Sequence, residues 1–280
     1  MALKLMYITK RPDVALIAEH AGVDRIFIDM EYIGKELRQG GLDSVKNHHT
    51  VEDVRNIRAV LTKSDLLVRV NPIHEATGKY RSSEDEIDAV IEAGADIVML
   101  PYFKTAREVE RFVSCVGGRA KTLLLLETPE AAAAADEIVA VPGIDEIHIG
   151  INDLSLGLGK TFMFELLADG TVEALCLKIR KAGIPYGFGG VAAVGTGTLP
   201  AESILKEHYR LGSSMVILSR SFCNADEIGD IEKIREIFET GVREMRSFEK
   251  EIEVHSRYFD ENRAAVAESV RTIVEKISKR

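Results

Sequence analysis

Short apolar runs alternate with longer amphipathic stretches from one end of the chain to the other. Runs of four to six residues, bounded by polar or glycine-containing turns, predict β-strands at Leu3–Ile8, Arg25–Asp29, Leu66–Val70, Ile97–Leu100, Thr122–Glu127, Glu146–Ile149, Ile184–Phe188 and Met215–Leu218. Between them, apolar residues at helical spacing predict helices near 12–21, 51–62, 84–93, 105–116, 130–139, 171–182 and 200–211. The phrases Ala21-Gly22-Val23-Asp24, Ala93-Gly94-Ala95-Asp96 and Ala182-Gly183-Ile184-Pro185 repeat one event, a helix closed by a left-handed glycine with a strand following at once. Eight β runs separated by helices predict an α/β chain of (β/α)8 TIM-barrel type, with right-handed crossovers. The 280 residues accommodate the roughly 250 that such a barrel needs.

Two connections at the C-terminal ends of the strands exceed what a connector requires, Met30 to His49 and Gly150 to Gly170, and long loops in compact domains usually carry function. After Ala225 the pattern changes. Ile231, Ile234, Ile237, Val242, Met245, Phe248 and Ile252 recur at helical spacing, and a second amphipathic stretch covers 258–279. This is more helix than a barrel needs, so the chain divides into a barrel over 1–224 and a helical arm over 225–280. The arm either caps its own barrel or, the favoured expectation, packs on another subunit of a homo-oligomer.

Composition narrows the partners. A net charge of −9 argues against nucleic acid, whose recognition draws on clustered Lys and Arg. No apolar run reaches the roughly 20 residues of a transmembrane helix, and the N-terminus lacks a signal-peptide layout. Cys115, Cys176 and Cys223 are odd in number and widely spaced, as expected of reduced residues in a cytoplasmic protein.

The chemistry is expected where apolar β runs end on charge. Leu123-Leu124-Leu125-Leu126 stops on Glu127, and Ile147-His148-Ile149-Gly150 leads into Ile151-Asn152-Asp153. In a parallel barrel both carboxylates fall at the C-terminal mouth, where they form an oxygen-only site for Mg²⁺ or Mn²⁺, with Co²⁺ a further option. A 2-oxo acid would complete such a site through a carboxylate oxygen and its ketone. The alternative is that both are solvated loop carboxylates or helix caps, and Thr128-Pro129-Glu130 does look like a helix start. Arg69, amid β-branched residues, is either half of a structural ion pair or a planar donor aimed at the ketone oxygen. The Gly150–Asp153 backbone offers N–H groups for a substrate carboxylate. Gly157-Leu158-Gly159-Lys160-Thr161 is no phosphate loop, because Leu154 stands where that motif needs its first glycine.

Four segments taken together resemble the HpcH/HpaI aldolases, which stand with the citrate lyase β-subunits among pyruvate/phosphoenolpyruvate barrels. They are Val23-Asp24-Arg25-Ile26-Phe27-Ile28-Asp29-Met30-Glu31, Leu67-Val68-Arg69-Val70-Asn71, Leu125-Leu126-Glu127-Thr128-Pro129-Glu130-Ala131 and Gly150-Ile151-Asn152-Asp153-Leu154-Ser155. The resemblance covers roughly residues 3–222. It implies a metal-dependent class II aldolase that makes a pyruvate enolate and adds it to, or releases it from, an aldehyde. It also implies Glu127 and Asp153 as metal ligands, Arg69 on the keto oxygen, Gly150, Ile151, Asn152 and Asp153 around the substrate carboxylate, and oligomers that exchange C-terminal helices.

Two positions depart from that pattern. The strand-two motif of the aldolases ends in histidine, paired with an aspartate as acid and base, whereas this chain reads Asp29-Met30-Glu31-Tyr32; Leu125 stands where a glutamine is usual. Tyrosine, with an unperturbed pKa of about 10, is a poor base near neutrality. If residues 33–47 bulge outward, His49 returns to the rim beside Asp29, just before a Thr50/Asp53 helix cap, and titrates in the right range. His49 with Asp29 is therefore the expected acid–base pair; His48, His74 and Tyr32 are the alternatives, and His148 is expected inside the barrel. Two other functions stay open: a lyase of CoA thioesters of the citrate or malyl-CoA kind, for which no basic groove is evident, and a metal- and ligand-binding barrel that has lost its base.

Overall fold

The computed structural model describes residues 2–34, 49–254 and 256–279. Eight strands close into one parallel barrel in sequence order: β1 (Lys4–Ile8), β2 (Arg25–Asp29), β3 (Asp65–Arg69), β4 (Ile97–Leu100), β5 (Lys121–Leu126), β6 (Glu146–Ile149), β7 (Tyr186–Val191) and β8 (Met215–Leu218), which pairs back with β1. Among the described residues, α1 (Pro12–Ala21), α2 (Val51–Arg58), α3 (Ser83–Glu92), α4 (Ala106–Val116), α5 (Pro129–Ala133), α6 (Ala135–Ile138), α7 (Ile151–Gly157), α8 (Glu165–Ala168), α9 (Thr171–Lys181) and α10 (Ala201–Leu211) follow the strands. The expected (β/α)8 barrel is observed. Its caps form from the residues that predicted them: Thr50 and Asp53 make a reciprocal capping box on α2, and Thr128 caps α5 by accepting the Ala131 N–H.

Strand periodicity sorts the side chains. Alternate residues of β2 (Arg25, Phe27, Asp29), β3 (Leu67, Arg69), β5 (Leu123, Leu125) and β6 (Glu146, His148) point into the barrel, and their neighbours pack outward under the helices. Met6, Phe27, Leu67, Ile97, Met99, Leu123, Leu125 and Met215 fill the interior as a cluster separate from the larger core beneath the helices. Below this plug a buried ion pair spans the barrel: Arg25 donates through Nη1 to Glu146 Oε2 at 2.6 Å and through Nη2 to Oε1 at 2.7 Å. Burial alone would raise the Glu146 pKa, but Arg25 overrides it and the carboxyl is held below its usual value.

Gly150–Gly170 is not the open loop expected from its length. It folds into α7 and α8, which bury Ile151, Leu154, Leu166 and Leu167. The expected insertion at 33–47 and His48 fall almost wholly outside the described residues.

The C-terminal helices α11 (Ile231–Val254) and α12 (Phe259–Ser278) pack on the chain's own barrel, where an arm reaching another subunit was the favoured expectation. Their apolar stripes find cover at home: α11 lies on α1 and α10, and α12 on α8 and α10. Polar anchors fix this placement. Glu249 accepts the Leu3 N–H at 2.8 Å, Arg246 donates to the Leu3 carbonyl at 2.7 Å, and Asn262 donates to Glu207 at 2.8 Å. No described helix is long and apolar enough to cross a membrane.

Arg25→Ala strands the Glu146 carboxylate inside the barrel, where among the described residues the half-exposed Lys4, 3.2 Å away, is the cation left to pair with it. The expected cost is about 3 kcal/mol of unfolding free energy, read as a lower urea midpoint. Arg25→Ala with the parent midpoint would remove the pair from any structural role.

Candidate active site

The same alternation that buries Arg25 at one end of β2 brings Asp29 inward at the other. Register does the rest: Asp29 lies opposite Arg69, and Leu125 opposite His148, so Glu127 follows next to Gly150. These residues line a cavity of about 460 Å³ at the C-terminal mouth, together with Glu31, Ile151, Asn152 and Asp153. Sequence reasoning named all of these but Glu31. Glu31 carried a visible signal, since it stands two places past Asp29 and so shares its parity.

Arg69 is clamped from two sides. Its Nε donates to Asp29 Oδ1 at 2.8 Å, its Nη2 to Asp29 Oδ2 at 2.7 Å, and its Nη1 lies 3.3 Å from Glu31 Oε2. Burial works against the guanidinium charge, but Asp29 and Glu31 outweigh it and hold the group protonated. Three of its five N–H donors are engaged in these contacts, which leaves one on each terminal nitrogen. The arginine is thus an ion-paired, half-buried residue that also lines the cavity.

Glu127 is buried, and Tyr102 supports it from the next strand end. The Tyr102 N–H donates to Glu127 Oε1 at 3.1 Å, and Tyr102 adopts φ +50°, uncommon for a residue with a side chain. Sequence could not reveal this residue, because its role rests on a backbone angle. Gly150 makes room on the other side: a Cβ there would sit 2.7 Å from Glu127 Cβ and 2.9 Å from Oε2. The expected loop nest at 150–153 is instead the first turn of α7. That helix's first internal bond is the Leu154 N–H to the Gly150 carbonyl, so the N–H groups of residues 151–153 lie outside its ladder. Asn152 donates to Asp153 Oδ1 at 3.0 Å. Phe162, Met163 and Phe164, between α7 and α8, give the cavity an apolar wall.

Among the described residues no three acidic, histidine or cysteine side chains converge on one point. Glu127, just past β5, and Asp153, in the first turn of α7, both line the cavity beside a glycine that leaves space. Such a set fits a hard divalent ion that keeps positions for water and substrate.

His49 returns beside Asp29 as expected, yet the link is not the expected carboxylate. The Asp29 main-chain N–H donates to His49 Nδ1 at 3.0 Å, while the Asp29 carboxylate holds Arg69. The neutral ring therefore carries its proton on Nε2. Burial lowers the His49 pKa despite Asp29, which favours that neutral form. His49 lines not the first cavity but a second of about 560 Å³, with Tyr32, His74, Lys79, Tyr80 and Arg81. Lys10 and Asp226 also act on its charge, and Asp226 stands on the rim of the first cavity.

Tyr32 is likewise on the second cavity, and burial raises its pKa further from the range of a base. Asn71 fixes it there by accepting the Tyr32 and Ile33 N–H groups at 3.0 and 2.9 Å. Both ring nitrogens of His74 face main-chain carbonyls, Pro72 at 2.7 Å and Arg81 at 2.8 Å, so it fastens its loop. His148 is fully buried inside the barrel, as expected. Its Nε2 faces the Gly189 carbonyl at 3.0 Å, and burial pushes its pKa down to about 4.

Gly150→Ala is expected to push Glu127 from its place and weaken Mn²⁺ binding on the order of tenfold, measured by titration. Unchanged affinity would separate Glu127 from the metal. For His148 the folded pKa is depressed, so the unfolded chain binds the extra proton. Stability is full above about pH 6.5 and falls towards pH 4, by about 1.4 kcal/mol per pH unit in the steep part. His148→Gln should shrink this slope in urea melts between those pH values; an unaltered slope would discount the histidine.

The chain is similar in sequence and in fold to several known proteins. A (3S)-malyl-CoA thioesterase of Cereibacter sphaeroides is 26% identical over 170 residues, which cover 59% of this chain and 54% of that protein. The chain thus spans about half the length of that relative. A hydroxypyruvate/pyruvate aldolase of Roseovarius nubinhibens is 26% identical over 181 residues, 60% of this chain and 69% of that one. In fold, the chain matches an HpcH/HpaI aldolase structure from Desulfitobacterium hafniense with a TM-score of 0.59 at 17% identity, over 87% of this chain and 93% of that one. The family model for HpcH/HpaI aldolase/citrate lyase matches residues 4–188, and the chain belongs to that family.

Proposed function

We propose that this chain is a divalent-metal-dependent aldolase that forms a pyruvate-type enolate from a 2-oxo acid and joins it to, or releases it from, an aldehyde. The observation that carries this reading is the pairing, in one cavity, of two rim carboxylates with a clamped arginine that keeps two N–H donors spare. Mg²⁺ or Mn²⁺ between Glu127 and Asp153 would supply Lewis acidity at the ketone. Arg69 presents its remaining donors where negative charge develops on the ketone oxygen, and Asp29 and Glu31 keep the guanidinium from swinging. The first-turn N–H groups of α7 hold the substrate carboxylate.

His49 is the proposed proton carrier. Its Nδ1 is occupied by Asp29, so Nε2 is the atom that exchanges the proton, through water at the seam between the two cavities. Its hydrogen bond to Asp29, which lines the first cavity, supports that proximity. The lowered pKa keeps the ring neutral, as a base must be near pH 7.

The second cavity favours one further reading. It gathers Arg55, Lys79, Arg81 and His74 around Tyr32 and Tyr80, whose rings lie 5.7 Å apart. A wall of cationic and aromatic side chains of this kind suits the phosphates and base of a CoA thioester. Saturable binding of CoA at this cavity, lost in Arg81→Ala, would favour the thioester lyase.

Pyruvate incubated with the protein and Mn²⁺ in D₂O should exchange its methyl protons, as followed by NMR. Glu127→Gln should abolish the exchange without unfolding the barrel. His49→Ala should slow it on the order of 10²–10⁴-fold while metal binding persists. No exchange by the parent protein sinks the aldolase reading; a parental rate in His49→Ala sinks the histidine alone.

A further inference from the structure

The barrel interior changes character at one level. Met6, Phe27, Leu67, Leu123 and Met215 belong to the apolar plug, and the next inward position on each of these strands, two residues on, lines the cavity. On β2 and β3 that position carries Asp29 and Arg69; on β1, β5 and β8 it carries Ile8, Leu125 and Ile217. Leu125 is itself part of the plug, and Ile8 and Ile217 pack against it, half-buried. The cavity floor is thus ionic on one side and aliphatic on the other. His148 borders the cavity too, but its ring is wholly buried, with Nε2 on the Gly189 carbonyl at 3.0 Å and Nδ1 buried as well. It offers a ligand no open hydrogen-bonding atom.

The aliphatic side reaches the candidate metal site at Leu125. A Cβ built on Gly150 would lie 2.9 Å from Glu127 Oε2 and 3.2 Å from Leu125 Cδ1, so the carboxylate oxygen and the leucine methyl flank one point. Gly189 extends this face, because its missing Cβ leaves space that Ile151 takes: a Cβ there would come 2.7 Å from Ile151 Cδ1. None of these side chains accepts or donates a hydrogen bond.

We propose that Leu125, with Ile8 and Ile217, selects the 2-oxo acid by its C3, the carbon beside the ketone: hydrogen or a small alkyl group is accepted there and a hydroxyl is refused. This rests on the aldolase reading and deepens it. With the ketone at Arg69 and the carboxylate at the first turn of α7, C3 and its substituent are left to the aliphatic side. A hydroxyl placed there gives up its water and finds no partner, whereas a methyl group gains contact. Leu125 is a specificity residue in this scheme and moves no proton.

The test compares deuterium uptake at C3 of pyruvate, 2-oxobutyrate and hydroxypyruvate in D₂O with Mn²⁺. Each acid is held at limiting concentration, and exchange without protein is subtracted. Pyruvate and 2-oxobutyrate should exchange with comparable efficiency. Hydroxypyruvate should fall behind on the order of 10–10²-fold, the discrimination an apolar pocket achieves against an added hydroxyl. Leu125→Gln and Leu125→Met have side chains of the same length and differ in polarity. The glutamine variant should bring the hydroxypyruvate-to-pyruvate ratio close to one, and the methionine variant should keep the parental ratio. Equal use of hydroxypyruvate by the parent protein, or a ratio that survives Leu125→Gln, overturns the selection and leaves the aldolase reading intact. Equal loss of 2-oxobutyrate and hydroxypyruvate makes size the criterion and overturns it as well. Exchange of none of the three acids overturns the aldolase reading and this inference with it.

Discussion

Each strand of a parallel barrel must send every second side chain into a closed interior, and the whole site depends on that constraint. On β2 it sends in Arg25, Phe27 and Asp29; on β6 it sends in Glu146 and His148. The lower members meet as a buried ion pair, the middle ones fill the plug, and the upper ones open into the cavity. A slip of one residue in β2 would turn Arg25 and Asp29 outward together. Structural and chemical ends of the barrel are thus locked by one register.

The site is built on opposed charges held at fixed distances. Asp29 and Glu31 both pair with Arg69. They favour the charged guanidinium and hold it in one orientation. Gly150 and Tyr102 do the same for Glu127, one by leaving space and the other by donating a hydrogen bond from an uncommon backbone angle. The charged groups of the cavity wall are accordingly held in place by the protein itself.

Asp29 also joins the two cavities. Its carboxylate faces Arg69 and its N–H faces His49, so one residue supports a side chain of each cavity. Asn71 continues this wall, taking the N–H groups of Tyr32 and Ile33 with its carbonyl while its amide donates to the buried Glu86. Tyr32 lines the same second cavity as His49, and burial moves its pKa further from the range of a base.

The sequence by itself determined the barrel, its strand order and most of the cavity wall. Apolar runs with period two, closed by glycine-capped helices, leave few topologies open, and four of the eight strands begin and end where that pattern places them. Arg69, Glu127 and Asp153 were legible because each ends or follows an apolar run. What only the tertiary structure decided is how those groups are partnered. The contact between Arg69 and Glu31, the angle at Tyr102, the helix at Ile151, the side of Asp29 on which His49 falls and the docking of α11 and α12 on their own barrel all depend on neighbours distant in sequence. Hydrophobic periodicity records which face of an element is buried. It does not record what covers that face, and pairing between polar groups is set by distances that exist only once the barrel has closed.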